Sequence, residues 1–114
     1  MKQITVRFRA VDRADFNRIK TGEKSVETRA ATEKYQHIAK GDTLVFVCGK
    51  EKITKTIVRV RHFKTLTAMF KVVPMKKIMP PHVQTIAAAR KVYYGYSGYK
   101  EKLAKYGVLA WEIR

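Results

Sequence analysis

Apolar and polar positions alternate with period two over Gln3 to Phe8, which predicts an N-terminal strand. Asp12 then stands as a helix cap before a stretch from Arg13 to Thr21, in which Phe16 and Ile19 fall on one side and Gly22 supplies the stop. The next strand is carried by Gly22 to Arg29. The segment Ala31 to Ala39 is polar, and Thr32 is placed to cap a short helix within it before the Gly41-Asp42 turn. An apolar run from Thr43 to Cys48 reads as the third strand, and Gly49-Lys50-Glu51-Lys52 as a hairpin turn. The fourth strand covers about Ile53 to Phe63, with Ile53, Ile57 or Val58, and Val60 as its apolar positions.

Thr65 caps a short helix to Lys71, and Pro74 and Pro80-Pro81 bracket an irregular basic segment. A further helix is predicted from Pro81 or His82 to Val92, its stripe formed by Val83, Ile86, Ala87 and Arg90. Gly95 and Gly98 interrupt the chain. A short helix from Tyr99 to Tyr106 and a closing strand from Val108 to Ile113, with Trp111 in the core, complete it. The pattern is α+β: a small barrel of about five to six strands with two to four flanking helices, built as a single domain over residues 1–114.

The second strand carries the most concentrated chemistry. Gly22-Glu23-Lys24-Ser25-Val26-Glu27-Thr28-Arg29 places an ammonium, a carboxylate and a guanidinium within eight residues. Side chains alternate along a strand, so Ser25, Glu27 and Arg29 share one face, with Val26 and Thr28 on the other. Lys24 sits at the junction of turn and strand. A charged face on such a strand is either a solvated edge or the floor of a polar cleft, and an ion pair between Glu27 and Arg29 that merely fixes the strand is the plainest use of these groups.

Charge narrows the partners. The chain of 114 residues has 25 Lys and Arg against 9 Asp and Glu, a formal net charge of +16. No acidic residue lies between Glu51 and Glu101, a stretch that includes Lys76, Lys77, Arg90, Lys91 and Lys100. A surface built only for solubility mixes its signs. This one attracts a polyanion and predicts salt-sensitive binding to nucleic acid. An anionic membrane is the rival partner, but no segment shows the basic amphipathic helix it requires, and no apolar run approaches bilayer length. The N-terminal residues lack the apolar block of a secretory signal, and the expected compartment is cytoplasmic.

Five tyrosines, Tyr93, Tyr94, Tyr96, Tyr99 and Tyr106, fall within fourteen residues and are interleaved with cations. Rings beside cations serve single-stranded nucleic acid, because bases stack and phosphates are anionic. Rings that close the end of a barrel give the same pattern. Tyr96 and Tyr99, in a glycine-containing loop, are expected to be exposed. His37, His62 and His82 lack metal-ligand spacing, Cys48 reads as core packing, and no phosphate loop or dinucleotide fingerprint is present. Neither metal nor cofactor is expected.

The pattern Gly-x-Lys-x-x-Glu-x-Arg at Gly22 to Arg29 resembles the signature of the ASCH domain, a small β-barrel of the PUA-like superfamily. Lys40-Gly41-Asp42 before an apolar run and Tyr106-Gly107-Val108 before the final strand resemble it too, and the likeness spans nearly the whole chain. The resemblance implies RNA binding, with enzymes among the members. The favoured expectation is a binder of single-stranded or structured RNA, not an enzyme, through Lys24, Glu27, Arg29, Lys76, Lys77, Arg90, Lys91, Tyr96, Tyr99 and Lys100. Glu27 accepts an exocyclic amine in that reading.

An alternative is a metal-independent ribonuclease, with Glu27 as general base and Lys24 and Arg29 stabilising phosphate charge. The resemblance also includes acetylcytidine amidohydrolases, whose motif lysine corresponds to Lys24 and whose motif threonine is replaced here by Glu27. Thr28 and Ser25 are adjacent to that position but do not occupy it. A protein-interaction adaptor of the coregulator type is the third alternative.

Overall fold

A computed structural model describes residues 1–114. The strands are β1 (Gln3–Phe8), β2 (Val26–Ala30), β3 (Thr43–Cys48), β4 (Glu51–Phe63) and β5 (Val108–Ile113). The helices are α1 (Arg13–Thr21), α2 (Leu66–Val72), α3 (Ile86–Tyr94) and α4 (Tyr99–Tyr106). The strands form one sheet in the order β1-β3-β4-β5-β2, parallel between β1 and β3 and antiparallel elsewhere.

β4 shapes the sheet. Its residues from Glu51 to Thr56 pair with β3, those from Ile57 to Phe63 pair with β5, and the register shifts between Ile57 and Arg59. Such an irregularity bends the bulged strand and increases its twist. The sheet therefore curls into a half-barrel whose outermost strands, β1 and β2, both border one cavity.

Alternation along β5 divides the core. Leu109, Trp111 and Ile113 pack with Phe16 and Ile19 of α1 and with Leu44 and Phe46 of β3. Val108 and Ala110 point the other way, with Val26 and Ala30, toward a layer formed by α2, α3, α4 and the segment around Met79. Trp111 and Phe16 are fully buried, and each such side chain contributes on the order of 1.5–3 kcal/mol by leaving water.

Several expected boundaries move for identifiable reasons. Asp12 precedes α1, yet its carboxylate accepts from Arg9 Nε at 2.8 Å instead of capping the helix. The hairpin between β3 and β4 is tighter than expected, since Glu51 already pairs with Cys48. Residues 31–39 form turns, not a capped helix, with Gln36 donating to the Ala31 carbonyl. α3 begins at Ile86, where Thr85 accepts from the Ala88 amide at 3.1 Å. Its buried side is Ala89 and Tyr93, while Ala87 faces water and Val83 packs from the preceding turn.

Asp42 ties the N-terminus to the β3 turn. Lys2 and Ala39 donate their backbone amides to its carboxylate at 2.9 Å each, and these bonds hold its pKa down at about 2. A depressed carboxylate contributes stability above its unfolded pKa and loses it as pH falls through the folded one. Amide exchange along β1 is therefore expected to accelerate between about pH 4 and pH 2, and Asp42→Asn should remove this pH dependence. Hydrogen-exchange NMR on both proteins checks it; a β1 equally protected at both ends of that range overturns it.

Candidate functional site

Gly22, at φ 86°, ends α1 in the left-handed conformation that glycine reaches without steric cost. The chain turns back at once, with the Lys24 amide donating to the Arg18 carbonyl at 2.9 Å. β2 then runs along β5, pairing Glu27 with Trp111 and Arg29 with Leu109. Glu27 and Arg29 thus share the face that looks into the curl of the sheet, and Thr28 faces the helical layer. There its hydroxyl meets the Tyr93 hydroxyl at 2.6 Å, and burial pushes the Tyr93 phenol well above its ordinary pKa.

The charged face is the floor of a cleft, not a solvated edge. Glu27 is 3 % exposed and Lys24 8 %. Lys24 Nζ lies 3.1 Å from Glu27 Oε1, and Arg29 Nη2 lies 3.4 Å from Oε2. The Thr28 amide donates to Oε1 at 3.0 Å. Burial alone pushes the Glu27 carboxyl upward, but Lys24 and Arg29 outweigh it and hold the pKa below its ordinary value. Oε1 has both lone pairs engaged, whereas Oε2 keeps one free. Arg29 Nε is a buried donor without a partner.

The cleft has a volume of about 500 Å³, inside the range of roughly 300–1,000 Å³ typical of small-molecule sites. Tyr96 and Tyr99 form one wall, edge to face with centroids 5.5 Å apart. Tyr96 is exposed, but Tyr99 is not: its hydroxyl accepts from the Ala30 amide at 3.3 Å, and its ring stacks on Tyr93. Tyr94, instead, shares the exposure expected of Tyr99. Arg7, on β1, and Arg9, just beyond its end, also line the cleft. Arg9 pairs with Asp12, whereas Arg7 makes no ion pair. Met79 completes the base, its carbonyl held by Arg18 Nη2 at 2.7 Å.

Of the expected site residues, Lys24, Glu27, Arg29, Tyr96 and Tyr99 line this cleft together. Lys76, Lys77, Arg90, Lys91 and Lys100 do not. Arg90 is turned to Thr67, Lys100 lies over the Tyr94 ring, and Lys77 lines a separate, smaller cavity. Arg7, Arg9, Thr28 and Tyr93 border the cleft and were not expected there. The only sequence signal for the arginines is their alternation at the end of the first strand. Tyr93 belongs to the tyrosine cluster and Thr28 to the motif, but nothing in the sequence signals their contact, which joins residues sixty-five apart.

No group of three or more His, Cys, Asp or Glu side chains is placed to hold a metal ion. No helix is long and apolar enough to cross a membrane.

No curated protein matches this sequence. Solved structures that match this chain include two that resemble it along its length. The crystal structure of hypothetical protein PH0355 is 29% identical with a TM-score of 0.83, over 100% of this chain and 98% of that one. The solution NMR structure of protein PF0455 from Pyrococcus furiosus is 26% identical with a TM-score of 0.72, over 99% of this chain and 94% of that one. The family model for the ASCH domain matches residues 11–114, nearly the whole chain, and with the half-barrel described above it places this protein in the ASCH domain family.

Proposed function

We propose that this protein binds RNA, taking an unstacked nucleotide into the cleft between β1 and β2. The observation that carries the reading is the buried Lys24–Glu27–Arg29 group on the floor of a cavity walled by Tyr96 and Tyr99. The rings offer a surface on which a base edge or face can rest. Glu27 Oε2 and the unpartnered Arg29 Nε supply one acceptor and one donor, the two kinds of group that read a base edge. Arg7 and the net charge of +16 draw in the phosphate backbone.

The chemistry of Glu27 favours binding over catalysis. A general base works best with a pKa near the working pH, and this carboxyl is held below its ordinary value. The amidohydrolase reading lacks a hydroxyl at the Glu27 position, and the neighbouring Thr28 hydroxyl is engaged by Tyr93.

The test uses end-labelled single-stranded and structured RNA, with EDTA and no added metal, read for both binding and integrity. The expected result is intact RNA, shifted by the protein, with affinity falling steeply as salt rises. Tyr96→Ala should weaken binding by about 1–3 kcal/mol, the worth of one stacked base. Glu27→Gln should still bind, with the salt dependence unchanged. Absence of a shift at low salt overturns the proposal, and cleavage that disappears in Glu27→Gln replaces it with a ribonuclease.

A further inference from the structure

The chain between α2 and α3 has two sides. Ile78, Met79 and Pro80 line the cleft, whereas Pro74 and Lys77 line a second cavity of about 150 Å³. β2 borders both, with Val26 on the second and Glu27 on the first. Arg59 and Arg61, two apart on β4, reach the second cavity from the sheet, and Glu112 reaches it from β5. Arg59 Nε lies 3.6 Å from Glu112 Oε2, while Arg61 and Lys77 make no ion pair. Glu112 is the only acid lining this cavity, so three cations face one carboxylate.

Cations gathered in a concavity raise the local concentration of anions, and a guanidinium matches the spacing of phosphate oxygens. The volume is below the roughly 300 Å³ at which small-molecule sites begin, and it suits an oxyanion better than a base. Exposed Val72 gives the mouth of the cavity an apolar side against which a ribose can pack.

We propose that Arg59, Arg61 and Lys77 form a phosphate site that holds a backbone phosphodiester of the same RNA strand whose base occupies the cleft. This assignment rests on the RNA reading above. A strand crossing the Pro74–Pro80 segment engages both cavities, so a mononucleoside uses one site and an oligonucleotide uses two. Glu112 limits the affinity of the second by holding Arg59.

The test takes the full chain, labelled for NMR, with inorganic pyrophosphate as one probe and a ten-nucleotide single-stranded RNA as the other. Pyrophosphate should shift the amide signals of Arg61 and Lys77 and leave that of Tyr96 in place. Arg61→Gln should abolish those shifts, and Glu112→Gln should tighten pyrophosphate binding severalfold. With RNA, Arg61→Gln should weaken binding roughly threefold to tenfold and reduce the salt slope by about 0.7, the value for one phosphate contact on a single strand. A mononucleoside should bind the Arg61→Gln and wild-type proteins alike.

Pyrophosphate shifts spread evenly over the lysine surface overturn the site. So does an RNA salt slope that Arg61→Gln leaves unchanged. Pyrophosphate bound at Arg61 with no RNA bound at any salt overturns the RNA reading and the phosphodiester assignment together, and leaves an oxyanion site. RNA bound in the cleft with no effect of Arg61→Gln overturns the second site alone.

Discussion

Replacing Glu27 with leucine lowers the unfolding free energy by about 3–5 kcal/mol, the cost of leaving buried charge without its partner. Lys24 and Arg29 both depend on this carboxylate, and Lys24 is 8 % exposed, so water cannot take over the role. The Thr28 amide loses its acceptor in the same step. Lys24→Met combined with Glu27→Leu should recover only part of the loss, because it removes one stranded cation while Arg29 and the Thr28 amide stay without their acceptor. Urea unfolding of the single and double variants measures both quantities. A single variant within 1 kcal/mol of wild type would show that the group is solvated after all.

The same carboxylate gives the cleft an acid limit. Its folded pKa lies below the ordinary value of 4.5, so its contribution to stability is complete above that value. The contribution fades as pH falls through the folded pKa, where the proton neutralises Glu27 and leaves Lys24 and Arg29 facing each other. In Glu27→Gln this portion of the acid dependence should be missing.

Gly107→Ala is the second change with a large expected effect. Gly107 has φ 80° and ψ −164°, a region open essentially to glycine alone. A Cβ there would lie 2.4 Å from the Phe63 carbonyl oxygen and 3.0 Å from His62 Nε2. The first of these is backbone at the β4–β5 seam, where Phe63 pairs with Val108, and it cannot swing aside. Backbone strain of about 1–3 kcal/mol adds to an overpacking cost of similar size. The expected loss is therefore about 2–6 kcal/mol.

Gly22→Ala separates the two contributions. Gly22 has a similar φ of 86° but nothing within 4 Å of the added carbon, so it carries conformational strain of about 1–2 kcal/mol and no clash. Equal losses at the two positions, measured by thermal or urea unfolding, would show that the β4–β5 seam yields to the methyl group.

The strands were legible because their apolar positions repeat cleanly. β1, β3 and β5 coincide with the alternating or apolar runs, and Gly22 and Thr65 act as the stop and cap their types suggest. Alternation also put Glu27 and Arg29 on one face. What it could not supply was burial. The floor of the cleft becomes a floor only because Met79, Tyr96 and the end of β1 arrive from remote parts of the chain. α3 was misplaced for a local reason: Pro81 is a fair helix starter, but Thr85 provides an actual cap. Tyr99 looks exposed in its glycine-flanked setting, and it is drawn inward by its hydroxyl's bond to the Ala30 amide on the outermost strand and by the stacking of its ring on Tyr93. The basic residues of the later half read as one binding surface in the sequence, whereas none of Lys76, Lys77, Arg90, Lys91 and Lys100 lines the cleft.

The strand order also fixes when the cleft can exist during synthesis. β2 has β5 as its sole strand neighbour, and Val26 pairs with Glu112. Translation delivers Lys24, Glu27 and Arg29 early, yet the strand that shelters them leaves the ribosome tunnel after the other strands and helices described above. Until then the motif is a solvated stretch of chain, and the closing contact spans most of the sequence, a non-local pairing of the kind that forms slowly. The charged motif is therefore made early and buried late: Lys24, Glu27 and Arg29 stay open to water until β5 has emerged and paired with β2.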